Sequence, residues 1–263
     1  MSGLTHLKYP KVTIVTVVFN ASDEIETTLK SIISQSYINK EIIVIDGGST
    51  DGTLELVEKY LDKIDYFKSE EDLGIYDAMN KGIKYATGDW MCFMNAGDVF
   101  FNKNIIKDLF DQKEIYHDIL AGDCISDHRI FKKYLKAKDL KKINYGMIFC
   151  HQSVFVRADI HREYNFDIKF KLASDFNFFY QCYLSRKKIK IYNYPFSIIS
   201  TGGLSDKMKL KVLFENRDII RHYSKSTIKI EFTYQIKIIW TFIKYSIERI
   251  LPSYVSLIIK KIK

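Results

Sequence analysis

The sequence predicts an α/β protein built on a mostly parallel sheet with helices on both faces. Strand-like and helix-like segments alternate through the first hundred residues, the rhythm of successive strand–helix–strand units. The strand segments are continuously apolar and β-branched, as strands buried on both faces are. The chain has 263 residues, 47% hydrophobic and 27% charged, with twelve Gly and three Pro. That composition fits a globular protein and excludes disordered, collagen-like and linker-rich chains.

Val12–Phe19 reads as the first buried strand. Ser22 or Asp23 then caps an amphipathic helix with Ile25, Leu29, Ile32 and Ile33 on one face. Glu41–Asp46 is the second strand. The loop Gly47-Gly48-Ser49-Thr50-Asp51-Gly52 leads into a helix carrying Leu54, Val57 and Leu61. A short strand over Tyr66–Ser69, a helix over Ile75–Ala86 and a strand over Trp90–Met94 follow. Right-handed crossovers would place the ends of these strands on one edge, where such sheets bind ligands.

The rhythm loosens from Ile119. Short strands are expected at Ile119–Asp123, Arg129–Tyr134, Ser153–Val156, Lys190–Tyr192 and Phe196–Ser200, with a helix over Ser174–Leu184. The basic run Lys132–Lys142 reads as a solvated face or as a contact for a lipid diphosphate. Residues 225–263 hold eight of the basic residues and two acids, much of the net charge of +8. There Ile236, Ile239, Trp240, Ile243, Ile247, Ile250 and Leu251 share one helical face, and Lys237, Thr241, Lys244 and Glu248 the other, until Pro252. Such a stripe either packs on the protein's own core or lies in a membrane interface.

Net charge of this size favours an anionic partner. Its concentration in an Ile-rich tail suits a lipid surface better than nucleic acid, so no nucleic-acid partner is expected. The four cysteines, 32, 26 and 32 residues apart without a C-x-x-C pair, read as reduced and mostly buried thiols. The apolar run near the N-terminus is too short for a secretory signal, and no uncharged stretch is long enough to span a bilayer.

The loop after the second strand lacks the G-x-G-x-x-G order of dinucleotide-binding proteins, with Ser49 at the third position, and no Walker pattern occurs. More informative is where the acids fall. Asp46 closes the second strand, and Asp98 follows Asn95 after the fourth. Both lie at the edge shared with Thr16, Phe19 and Asn20. A carboxylate there can accept from a uracil N3–H, and another can hold a divalent ion on a diphosphate. Taken singly, Asp46 and Asp51 also suit turns and caps, and Asp98 a strand end.

Together, PKVTIVTVVFNA (10–21), IIVIDGGSTDGT (42–53), SEEDLGIYDAMNKGIKYATGD (69–89) and WMCFMNAGDVF (90–100) resemble an inverting glycosyltransferase of family 2, of the subgroup that builds bacterial surface polysaccharides. The resemblance implies the GT-A fold, with residues 1–100 as a Rossmann-like nucleotide-sugar-binding half and 101–224 as the acceptor-binding, catalytic half. Residues 225–263 would be a basic amphipathic tail.

The resemblance also implies roles. Asp46 would bind uracil, with Thr16, Phe19 and Asn20 beside the base. Asp77, Asn80 and Asn95 would contact the nucleotide-sugar, and Asp98 would hold Mn²⁺ or Mg²⁺. Relatives often carry Asp-x-Asp-Asp where this chain has Asn95-Ala96-Gly97-Asp98, so only the final acid remains. The Asp of the family's Glu-Asp pair, its catalytic base, maps onto Asp175, with Ser174 in place of the Glu. Position alone also suits Asp175 to a helix cap, and it complements the helix dipole. His151, in the stretch CHQSVFVR, is a second candidate base or a contact to an anionic acceptor, and Gln152 with Gly202 and Gly203, in the loop Thr201–Ser205, are candidate acceptor contacts.

The function expected is transfer of a hexose or N-acetylhexosamine from a UDP-sugar to a polyprenyl-diphosphate-linked saccharide. The place expected is the inner face of the cell membrane, with the enzyme a peripheral protein on the cytoplasmic side. A sugar-1-phosphate nucleotidyltransferase would want a glycine-rich basic loop after the first strand, where this chain has Asn20-Ala21-Ser22-Asp23. A non-catalytic membrane- or nucleic-acid-binding protein is the alternative from another class.

Overall fold

The computed structural model describes residues 9–112, 114–128, 130–223 and 227–250, with side chains in the last helix described to 247. Val12–Val18 forms β1, buried at every position. It runs parallel to β2 (Lys40–Asp46) on one side and β4 (Trp90–Phe93) on the other. β3 (Tyr66–Ser69) extends this parallel layer beside β2. β8 (Val154–Arg157) then pairs antiparallel with β4 and with β6 (Ile119–Asp127), so it runs against the strands on both of its sides. β6 runs parallel to β9 (Ile189–Ser200), which carries β5 (Val99–Phe100) along its other edge, while β7 (Lys132–Leu135) pairs with the far end of β6.

Helices cover both faces. On one, Ile25, Leu29 and Ile32 of α1 (Ser22–Ile33) pack with Ile14 and Val44. The short helices α2 (Thr53–Glu58) and α4 (Ile105–Phe110) add Val57 and Leu109 to that side. On the other face, Met79 and Ile83 of α3 (Ile75–Tyr85) pack with Val15 and Val17, beside α5 (Ala158–Glu163) and α6 (Ser174–Leu184). α3 approaches β1 so closely that a Cβ at Gly82 would lie 2.4 Å from Val15 Cγ1.

Several local expectations are corrected. α1 is not capped by its own Ser22 or Asp23. Its first amides are taken by the loop after β2, Ser22 N–H donating to Asp51 Oδ2 (3.1 Å) and Ala21 N–H to Thr53 Oγ1 (2.9 Å). The two strands expected between 190 and 200 are one strand, carried through Pro195 by register shifts against Asp123. Cys92 and Cys182 are buried free thiols as expected, but Cys124 and Cys150 form a disulfide. The antiparallel return of the chain into β8 brings their Cα atoms to 6.4 Å, a proximity their spacing does not reveal.

After β9 come α7 (Leu204–Lys207), α8 (Lys209–Tyr223) and α9 (Ile228–Ile250). α9 buries Ile230 and Tyr234, and Lys237 turns inward to donate to the Tyr145 carbonyl. The expected apolar stripe faces away from the core: Ile236, Ile239, Trp240, Ile243 and Ile247 are all exposed, and Phe242 is 64% exposed. Leu251, Pro252 and the rest of the tail to 263 lie outside the described residues, as does the side chain of Ile250. Among the described residues no helix is long and apolar enough to cross a membrane.

Candidate active site

The segment after β4, the start of α3, the stretch before β8, the start of α6 and the end of β9 surround one cleft of about 420 Å³. Asn95, Asp98, His151, Gln152, Asp175 and Gly203, all singled out in the sequence, line it.

Asp98 follows β4 and is 4% exposed. One of its oxygens accepts from Ser200 N–H at 2.9 Å. Burial pushes its carboxyl up to about 7, and the negative charge of Glu24 adds to this. Hydrogen bonds from Ser200 and Gln152 oppose it without cancelling it. Asn95 Oδ1 is buried and receives no hydrogen bond among the described residues. A buried acceptor without a donor costs free energy unless a ligand satisfies it.

Asp175 stands in the first turn of α6 and is half-buried. Its Oδ1 accepts from Tyr76 O–H at 2.9 Å and from Phe176 N–H at 2.8 Å. The residue lines the cleft. Burial raises the Asp175 carboxyl above the ordinary range, against the lowering effect of those two donors. Asp175 does not bear the cap alone. Glu215 of α8 accepts from the amides of Lys171 (3.2 Å), Leu172 (2.9 Å) and Ala173 (2.9 Å), holding the segment that enters α6.

His151 is buried, its ring packed 5.2 Å from that of Phe93, and its Nε2 has no partner among the described residues. Burial lowers it to about 4, so at neutral pH it is uncharged and not a cationic contact. Gly202 lies outside the cleft lining; its amide donates to Asp206.

The remaining candidates sit elsewhere. Asp46 is fully buried and turned into its own loop. Its carboxylate accepts from Gly48 N–H, Ser49 N–H, Ser49 O–H and Ser69 O–H, at 2.5 to 2.9 Å. Asn20, at φ 46°, ties the same loop to β1: its N–H donates to Ser49 Oγ and its Oδ1 accepts from Thr50 N–H. Thr16 is buried with its hydroxyl unpartnered among the described residues, and Phe19 is 63% exposed at the rim. Asn80 spends its amide on the Phe166 backbone, donating to O (2.8 Å) and accepting from N–H (2.9 Å). Asp77 accepts from Leu73 N–H and pairs with Lys81.

Three residues of the site escaped the sequence reading. Tyr76, Ser200 and Glu215 act through partners 99, 102 and 42 to 44 residues away. Only a side-chain pairing in three dimensions exposes them.

Among the described residues no group of three or more His, Cys, Asp or Glu side chains gathers as a self-contained metal site. The donor set still suits a hard divalent cation. One carboxylate and an orphaned amide oxygen leave the rest of an all-oxygen shell to a substrate's phosphates, the usual arrangement for Mg²⁺.

Residues 13–183 match the family described as Glycosyl transferase family 2. Over 205 residues the chain is 26% identical to a PGL/p-HBAD biosynthesis glycosyltransferase of Mycobacterium bovis, covering 75% of this chain and 80% of that one. It superposes on S. aureus TarS 1–349 in complex with UDP-GlcNAc with a TM-score of 0.66 at 18% identity, covering 85% of this chain and 70% of that one. On the Pyrobaculum calidifontis mannosyltransferase PcManGT in complex with GDP-Man and Mn²⁺ the TM-score is 0.65 at 16% identity, covering 87% and 69%. The expected GT-A architecture is therefore present.

Proposed function

This chain belongs to glycosyltransferase family 2, and from that premise we propose that it inverts the anomeric centre of a UDP-sugar by transferring a hexose or N-acetylhexosamine to a lipid-linked saccharide. The observation that carries the proposal is one cleft holding both Asp98 and Asp175. Asp175 is the base: it lines the cleft, and burial makes the carboxylate a stronger proton acceptor. The acceptor hydroxyl loses its proton to Asp175 as its oxygen attacks the anomeric carbon, and the UDP oxygen leaves from the opposite side. A single displacement of this kind inverts the centre. Tyr76 keeps the carboxylate oriented through Oδ1.

Asp98 and Asn95 would hold Mn²⁺ or Mg²⁺ together with the donor's phosphates. A bound divalent ion supplies neutralising charge for the leaving diphosphate. In this reading residues 1–100 serve chiefly the donor and 101–224 the acceptor, which Gln152 and Gly203 of the cleft lining would contact.

We also propose that α9 rests on the inner leaflet. Its exposed Ile239, Trp240, Phe242, Ile243 and Ile247 form an apolar surface, and the tail around it is basic. This would keep the enzyme beside a polyprenyl-diphosphate-linked acceptor of surface polysaccharide synthesis.

The test is UDP release from a panel of UDP-sugars with a synthetic saccharide-diphosphate-lipid acceptor, with and without EDTA. Turnover confined to the metal-replete, acceptor-containing reactions supports the proposal. UDP release that ignores the acceptor refutes it. Flotation with anionic vesicles, lost on Trp240→Ser/Ile243→Ser, tests the membrane contact separately.

A further inference from the structure

The base-reading carboxylate expected at Asp46 is spent. Its two oxygens accept four hydrogen bonds from Gly48, Ser49 and Ser69, and the side chain is fully buried. Position 47 carries no side chain. Its place is filled from another loop: a Cβ there would lie 2.5 Å from Asp72 Oδ2 and 3.4 Å from Phe19 Cδ2. Asp72 therefore projects over Gly47, beside the exposed Phe19 ring, at the carboxyl edge of β1 and β2.

The Asp72 carboxylate is held by one oxygen and free at the other. Oδ1 accepts from Gly74 N–H at 2.7 Å, whereas Oδ2 receives no hydrogen bond among the described residues. The segment bearing it is fastened on both sides. Lys81 donates to Glu71 O at 2.8 Å, Leu73 N–H donates to Asp77, and Lys171 donates to Leu73 O at 3.3 Å. A Cβ at Gly48 would also touch Glu71, so this segment lies directly on the loop after β2. A preorganised acceptor beside an exposed aromatic face suits the edge of a planar base that offers an N–H.

We infer that Asp72, not Asp46, reads the base of the donor, its Oδ2 accepting the ring N–H of uracil while Phe19 lies against the base. This rests on the proposal that the donor is a nucleotide-sugar. Uracil and guanine both present a ring N–H, whereas cytosine presents an acceptor at N3. Asp72 therefore selects bases with a ring N–H against cytosine, and the probe decides which of the two is used. Asp46 shapes the loop that Asp72 overlies.

The test is titration of the intact protein with UDP, GDP, CDP and 3-methyl-UDP in the presence of Mn²⁺, for the wild type, Asp72→Ala and Asp46→Asn. A charged hydrogen bond of this kind contributes roughly tenfold or more in affinity. The wild type is expected to bind UDP or GDP at least about tenfold more tightly than CDP, and UDP more tightly than 3-methyl-UDP if uracil is the base. Asp72→Ala should lose that preference while keeping weakened diphosphate binding. Equal binding of all four diphosphates by the wild type overturns the inference without needing any variant. So does a preference that survives Asp72→Ala or vanishes only in Asp46→Asn. Absence of any nucleoside diphosphate binding by the wild type overturns the proposed function along with it.

Discussion

The Tyr76 hydroxyl donates to Asp175 Oδ1 over 2.9 Å and so joins the start of α3 to the start of α6. It is a bond between the half expected to hold the donor and the half expected to hold the acceptor. Tyr76 is buried, and burial together with the Asp175 charge raises its phenol far above the ordinary value, so it remains a donor across the working pH range. The bond favours the ionised carboxylate and partly offsets the upward push of burial on Asp175.

Tyr76→Phe is therefore expected to move the acid limb of kcat to higher pH. Asp175 is raised already, and losing a donor raises it further, so the base form is lost earlier as pH falls. A pH profile of kcat for the two proteins checks this. An unmoved acid limb would show that the hydroxyl does not tune the base.

Asp98→Ala is expected to lower turnover by about two orders of magnitude or more, because the donor's phosphates lose the carboxylate that would share a cation with them. EDTA should act similarly on the wild type, reversibly on adding Mn²⁺. Steady-state rates with and without chelator measure both.

Glu41 ties the base of β2 to β1 and to the residues before β4. It accepts from Lys11 (2.8 Å), Thr13 (2.5 Å) and the Thr87 amide (2.8 Å). Burial pushes its carboxyl upward, but those donors together outweigh it and hold the group at about 2. A carboxyl lowered on folding stabilises the fold above its unfolded value of 4.5, and that contribution fades as pH falls towards 2. The shift corresponds to on the order of 3 kcal/mol. Urea unfolding between pH 6 and 3 should show falling stability in the wild type and a flatter profile in Glu41→Gln.

Gly82→Ala is expected to destabilise by about 1–3 kcal/mol, since the new methyl must displace Val15 or lift α3 from β1. Denaturant midpoints measure the cost. Paired with Val15→Ala, part of it should be regained.

The first four strands and three main helices were legible because each is specified locally: continuous apolar runs for β1 and β2, a helical period for α1 and α3. α6 was legible over Ser174–Leu184 for the same reason. The second half was less so. The pattern reads as two short strands, Lys190–Tyr192 and Phe196–Ser200, yet β9 runs through Pro195 between them, because register shifts against Asp123 accommodate a residue with no amide to donate. α4, α5 and α8 were not read from the pattern. In the site, Asn95, Asp98 and Asp175 stood out through the family resemblance, and the structure gathers them. Asp46 stood out equally, but no sequence pattern says that the amides of Gly48 and Ser49 fold back onto it. The converse holds for Tyr76, Ser200 and Glu215, whose parts depend on a partner distant in the chain.

The measurement bearing most directly on the chemistry is the single-turnover rate of Asp175→Asn alongside its affinity for UDP and Mn²⁺. Asn keeps the shape and can still accept from Tyr76, but it cannot take a proton. Donor affinity within about twofold of wild type, with a rate lowered by roughly 10²–10⁴, is the result expected of a general base in the cleft. A near-normal rate would contradict it and return Asp175 to a capping residue at the start of α6.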